Sequence, residues 1–364
     1  MLREIYVRPV GLYAAHHGER SNQVWGCLRL AHGWLDFTAV EVIERNGAEI
    51  ERRIISLGDF MERDWGRRAL NAADMYECLQ IPRARLCGLS LQRPRIMGIV
   101  NVTPDSFFDG DQFNDAAHAI DHARRLIDEG ADIIDIGGES TRPGSETVPL
   151  EVELERVMPV IEGLAGKSDA LISIDTRKAE VMRRAVNAGA DIINDVSALS
   201  FDADSLAVVA EAEVPVVLMH AQGDPRTMQD NPFYEDVALD VFDYLEAQVE
   251  ACLRAGIARH RIIVDPGIGF GKTLEHNLGL LSDLSLLHGL GLPVLVGASR
   301  KSFISRLTAA KTAEQRLPGS LAAACHAVSQ GVQILRVHDV AETRQALQLW
   351  QGAHQGISDG VKAR

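Results

Sequence analysis

The sequence predicts an α/β protein, a (β/α)8 TIM barrel with an additional N-terminal α+β segment. Three observations carry this reading. A short apolar strand followed by an amphipathic helix recurs eight times from Arg95 onward. Eight such units over about 260 residues are the count and length of that barrel. Each apolar run also ends in a polar or charged group, and barrels of this type place their chemistry at the C-terminal ends of the strands. An open doubly wound sheet would carry a glycine-rich loop after its first strand, whereas Thr103-Pro104-Asp105-Ser106 stands there instead.

The front of the chain reads differently. Residues 1–93 hold 13 arginines, no lysine and 12 acidic residues, and the first lysine is Lys167. Three of the four tryptophans precede position 66. Alternating runs such as Trp34–Val40 and Arg53–Leu57 predict short strands, and a helical stretch is expected near 59–80. His16-His17 lacks other donors at ligand spacing and reads as a loop pair. Pro82, Arg83, Arg85 and Pro94 suggest a linker. The expected division is therefore 1–93 as an extension of unassigned role, 94–355 as the barrel and 356–364 as a tail.

The predicted strands are Ile96–Val102, Asp132–Gly137, Leu171–Asp175, Ile192–Val196, Val214–His220, Ile262–Asp265, Pro293–Ala298 and Ile334–His338. Near-continuous apolar runs of this kind suit parallel strands covered on both faces. Helices are expected near 115–129, 149–164, 178–188, 204–212, 236–255, 274–288, 312–329 and 340–352. The strand ends present Asn101, Gly138-Glu139, Asp175, Asn194-Asp195, His220, Asp265, Ser299-Arg300-Lys301 and Arg336/His338. Strand ends lie near water and are often polar. That accounts less well for Asp175, Asp265 and Lys301, whose desolvation beside apolar runs has a cost unless a partner meets them.

Composition narrows the function classes. A net charge of −14 argues against generic nucleic-acid binding. No apolar run approaches a membrane span, and the first residues lack a signal core. The five cysteines, without a CxxC pair, read as reduced thiols of a cytoplasmic protein. Two near misses are rejected. A Walker A loop ending at Gly271-Lys272-Thr273 would need glycine where Pro266 stands, and a dinucleotide fingerprint from Gly267 would need glycine at Lys272. The glycines of Gly267–Gly271 read instead as places where backbone runs close to a flat ligand.

Eight motifs then occur in order at the eight strand ends: Asn101–Phe107, Gly138–Gly144, Asp175–Lys178, Asn194–Val196, Met219-His220, Asp265–Phe270, Gly297–Ser302 and Arg336–Asp339. Together they strongly resemble the dihydropteroate synthase family over residues 95–350. The resemblance implies condensation of 6-hydroxymethyl-7,8-dihydropterin diphosphate with p-aminobenzoate, releasing pyrophosphate and 7,8-dihydropteroate, with Mg²⁺ as cofactor. It implies that Asp175, Asn194, Met219, Asp265, Phe270 and Lys301 bind the pterin. Asn101, Arg142, Arg336 and His338 would hold the diphosphate, with Asn101 also at the metal. Phe107, Thr141, Pro143 and Ser302 would meet p-aminobenzoate. Asp175, Lys301 and Asn101 would be the catalytic set, and a homodimer and sensitivity to sulfonamides are expected.

Carboxylate and amide side chains suit the donor edge of a pterin, and a helix N-terminus after Lys301 suits a carboxylate. The reaction is expected to run through an SN1-like pterin cation, with loops 103–113 and 139–147 closing over the substrates. The chain departs from the family pattern at Phe108, Asp111 and Ala221. Two alternatives are a methyltetrahydrofolate-binding methyltransferase, which would lack the Asn101–Phe107 and Ser140–Gly144 loops, and a non-catalytic pterin-binding scaffold, which would have lost some of the polar set.

Overall fold

The computed structural model describes residues 5–15, 26–66, 69–102, 112–140, 145, 147–223 and 227–355. His16-His17, Phe107, Phe108, Asp111, Thr141, Arg142 and Pro143 lie outside them.

The front segment contains β1 (Ile5–Val10), β2 (Tyr13–Ala14), β3 (Leu28–Arg29), β4 (Leu35–Phe37), β5 (Ala39–Asn46), β6 (Glu49–Ser56), α1 (Leu57–Glu62) and α2 (Ala69–Gln80). It forms two antiparallel sheets, ordered β1-β5-β6 and β2-β4-β3. The run Trp34–Val40, expected as one strand, breaks at Thr38 and serves both sheets. Likewise the stretch near 59–80 is two helices, parted where Arg63 turns to extended backbone.

The barrel strands are β7 (Arg95–Asn101), β8 (Ile133–Gly137), β9 (Leu171–Asp175), β10 (Ile192–Asp195), β11 (Val216–Met219), β12 (Ile262–Asp265), β13 (Leu295–Val296) and β14 (Ile334–Val337). Their helices are α3 (Gln112–Glu129), α4 (Leu150–Leu164), α5 (Ala179–Asn187), α6 (Ser205–Ala212), α7 (Val237–Arg254), α8 (Leu274–Ser282), α9 (Ser302–Leu307), α10 (Leu317–Ser329) and α11 (Val340–Gln355). Every named strand pair is parallel, and β7 lies between β14 and β8. A parallel bridge from Val264 to Val294 joins the two ends of the sheet and closes the barrel.

Inside the barrel, Met97, Ile133, Ile192, Val217, Ile263, Leu295 and Ile334 form one buried layer, with Leu171 against it. Leu86 and Leu91 join that layer. The stretch expected to be a linker is therefore packed into the barrel rather than solvated. Arg83 within it is buried and donates to the carbonyls of Cys78, Ile81 and His288.

The front segment lies on the side of α7 and α8. Its apolar residues share one core with the outer face of the barrel. The helix expected over 274–288 is α8, started by a capping box of Thr273 and His276, followed by a tight 3-10 turn over Leu284–Leu290 whose seven residues are all buried. Around this contact run ion pairs in which the front supplies arginine and the barrel aspartate. Arg8 pairs with Asp283 at 2.5 Å and Arg52 with Asp236 at 2.7 Å, while Arg45 pairs with Asp243. The Tyr6 hydroxyl donates to Asp243 at 2.9 Å, and its ring meets Phe242 edge-on.

Candidate active site

Parallel strands running the same way deliver their last residues to one mouth, and here the polar set is delivered in neighbouring register. Asp175 on β9 pairs with Gly137 and Asn194, and Met219 on β11 pairs with Asp265 on β12. Asn101 ends β7 beside Gly137, partly buried.

Arg336 rises from β14 and links these strands. Its Nε donates to Asp135 Oδ2 and its Nη2 to Asp175 Oδ2, both at 2.6 Å. Asn194 donates from Nδ2 to the same Asp135 oxygen at 3.1 Å. Burial pushes the Asp175 carboxyl up to about 7, against the pull of Arg336. Burial also raises Asp265, with Lys301 drawing it back down. Asp265 is held by the backbone N–H of Gly267, which donates to its Oδ1 at 2.7 Å.

Lys301 stands between Asp265 and Phe270. It donates to the carbonyl of Ile268, and its amine lies 4.5 Å from the centre of the Phe270 ring. Desolvation lowers its amine to about 8, partly offset by Asp265. His338 receives the Ser299 hydroxyl near Nδ1 at 3.0 Å, and its backbone N–H donates to the same hydroxyl at 3.2 Å. Ser302 is exposed at the start of α9, which has only six residues.

Other strand-end groups serve the loops. Asp195 accepts from Ser197 N, Ser197 Oγ and Leu199 N and so orders the turn after β10. Glu139 pairs with Arg177 and Lys178. These two follow the bland reading of a polar strand end.

Two groups escaped the sequence reading. Asp135 lies inside β8 rather than at its end, fully buried. A buried acid in an otherwise apolar strand was the available signal. The second is Lys272, also buried. Its amine sits 2.8 Å from Nδ1 of His220 and donates to the carbonyl of Phe270 at 3.0 Å. Burial holds both its amine and the His220 imidazole well below their ordinary values.

The glycines of this loop also have a different explanation from the expected ligand contact. Gly267 has φ +68° and a Cβ there would lie 1.8 Å from the His220 carbonyl oxygen. At Gly271, φ +61°, it would lie 2.5 Å from the Gln222 carbonyl oxygen. The close neighbour at both is the protein's own loop after β11. A cleft of about 320 Å³ between α2 and α7, lined by Met75, Glu246 and Arg259 among others, is walled by helices and includes none of these strand-end residues.

Donors and acceptors from several strands thus converge on one mouth of the barrel. Residues 97–338 match the family model described as pterin binding enzyme. The dihydropteroate synthase of Escherichia coli strain K12 is 50% identical over 261 residues, 72% of this chain and 92% of that protein. That of Synechocystis sp. is 47% identical over 254 residues, 70% of this chain and 88% of the other. The solved Xanthomonas albilineans dihydropteroate synthase with 4-aminobenzoic acid aligns with TM-score 0.70 and 50% identity, covering 75% of this chain and 98% of that one. The same enzyme in complex with 7,8-dihydropteroate aligns at 0.68 and 48% identity, with the same coverage. The chain is thus a pterin-binding barrel of the enzyme class. It belongs to the dihydropteroate synthase family.

Proposed function

We propose that the chain condenses 6-hydroxymethyl-7,8-dihydropterin diphosphate with p-aminobenzoate to give 7,8-dihydropteroate and pyrophosphate. The observation that carries this is the joining of Asp175, Asn194 and Asp265 with Lys301 and Arg336 at one end of the barrel. The acceptors suit the N–H edge of a pterin and Lys301 suits its carbonyl. Met219 and Phe270 line the ring faces.

Asn101, Arg142, Arg336 and His338 take the diphosphate, and Phe107, Thr141, Pro143 and Ser302 the p-aminobenzoate. The reaction is dissociative. The exocyclic C–O bond breaks, its electron pair leaves with pyrophosphate, and the cation is stabilised by Asp175 and the ring pocket. The aniline nitrogen attacks the carbon and its proton passes to solvent or pyrophosphate. Asp175, Lys301 and Asn101 form the catalytic set.

Magnesium fits as a companion of the substrate. Asn101 offers one amide oxygen, and among the described residues no group of three His, Cys, Asp or Glu is placed to hold a metal. Mg²⁺ commonly keeps waters and takes substrate phosphate oxygens. When bound it offsets charge on the departing pyrophosphate. No helix among the described residues is long and apolar enough to cross a membrane, and we read the chain as a cytoplasmic homodimer divided at residues 93 and 355.

Purified protein given both substrates should form dihydropteroate, and a sulfonamide that mimics p-aminobenzoate should block it. Binding of the pterin without product in the presence of Mg²⁺ would instead favour a non-catalytic scaffold.

A further inference from the structure

Asp135 has no task in the mechanism above, yet it sits at the centre of the site. It is 0% exposed. Its Oδ2 accepts from Arg336 Nε at 2.6 Å and from Asn194 Nδ2 at 3.1 Å, and its Oδ1 has no hydrogen-bond partner among the described residues.

The chemistry of these partners decides the orientation of an amide. A guanidinium only donates. With Arg336 on one side, Oδ2 of Asp135 is an acceptor, so the end of Asn194 that meets it must be the NH₂. The amide oxygen of Asn194 is then the end left for a ligand. An asparagine without such a neighbour can turn over and present either end.

We propose that Asp135 is a positioning residue that sets the hydrogen-bond polarity of this floor: through Asn194 it admits a ring edge that donates and rejects one that accepts at the same place. The inference rests on the proposed function and deepens it. It predicts selection of a 2-amino-4-oxo pteridine over a 2,4-dioxo pteridine of the same outline, because replacing the amino group by a carbonyl turns a donor into an acceptor. A mismatched pair leaves two buried acceptors facing each other, which is costly. The rest of the floor also contributes to selection, so Asp135 supplies a share of it.

The test is calorimetry of 6-hydroxymethylpterin and 6-hydroxymethyl-2,4-dioxopteridine with the full-length wild type, D135A, D135S and D135N, with thermal unfolding as a check on folding. In the wild type the amino ring should bind at least a hundredfold tighter. The ratio should fall about tenfold in D135A, and also in D135S, whose hydroxyl donates as readily as it accepts. D135N should keep the ratio, since Arg336 holds the new amide oxygen toward itself and an acceptor still faces Asn194. A merely structural role would lower affinity for both rings and leave their ratio unchanged.

If the wild type binds neither ring, the proposed function fails. If it binds both equally, or if D135A or D135S keeps the wild-type ratio at any affinity, the assignment of Asp135 falls and the function stands. Loss of the ratio in D135N would overturn it as well, and that near-isosteric variant is the one least able to disturb the fold.

Discussion

Arg336 Nη2 lies 2.6 Å from Asp175 Oδ2, a bond that joins β14 to β9 across the mouth of the barrel. It opposes the effect of burial on the ionisation that the proposed chemistry depends on. Burial raises Asp175 to about 7 while Arg336 opposes the rise. A cation-stabilising carboxylate must be ionised, so kcat/KM should increase with pH and level off above about 7. Asp175→Asn should lower kcat on the order of a hundredfold and remove that limb. A pH–rate profile of both proteins checks this, and an unchanged acidic limb in the variant would show that another group titrates. Stability has the opposite sign. The raised carboxyl binds its proton more tightly when folded, so its contribution is present at low pH and lost as pH rises through about 7.

Lys301 and Asp265 form the other electrostatic pair, each shifting the other toward its charged form. Lys301→Ala or Asp265→Ala leaves a buried charge without its partner and removes a ring contact. Pterin affinity should fall on the order of a hundredfold by calorimetry, and equal affinity in both variants would refute their placement in the ring site.

Gly267 couples the loop after β12 to the loop after β11. Its φ of +68° and the 1.8 Å approach to the His220 carbonyl leave no room for a methyl group. Gly267→Ala should therefore cost more than about 2 kcal/mol of stability and weaken pterin binding, since the Gly267 N–H positions Asp265. Denaturant unfolding measures the first effect and calorimetry the second. Near-wild-type values in both would mean that the two loops move apart freely.

The seam between the front segment and the barrel is tested at Arg45. It is 5% exposed and serves Asp243 and Asp240, beside the Tyr6 hydroxyl. Arg45→Met leaves Asp243 buried without its cation and should destabilise the whole chain by about 3 kcal/mol. One cooperative transition shifted to lower temperature is expected, because the two parts share a core. Two separate transitions would show that the front unfolds alone.

Some of this was legible in order along the chain. Eight apolar runs with polar ends, and no glycine-rich loop after the first, pointed to a parallel barrel, since period and turn chemistry act locally. The eight motifs carried the family, and the expected roles of Asp175, Asn194, Asp265, Lys301 and Arg336 follow from their match to its motifs at or near the strand ends. Boundaries were less legible. The helix expected to 288 ends at Ser282, because the segment after it is packed against the front of the chain. Thr38 divides one apolar run between two sheets for the same kind of reason.

What the sequence by itself determined was that Asp175, Asn194, Asp265 and Arg336 stand at the ends of parallel strands that face one mouth of the barrel. Strand direction and register are enough for that. Only the tertiary structure decided which of them touch. That Asp135, a residue inside a strand, meets Arg336, 201 residues away in the chain, follows from the closing of β14 against β7, and its contact with Asn194, 59 residues away, follows from the pairing of β8 and β10 through β9. That Gly267 and Gly271 make room for the protein's own backbone, and that Leu86 and Leu91 enter the barrel, depend likewise on distant segments meeting. Such contacts leave no local pattern, because the desolvation and hydrogen bonding that select them exist only once the chain has closed.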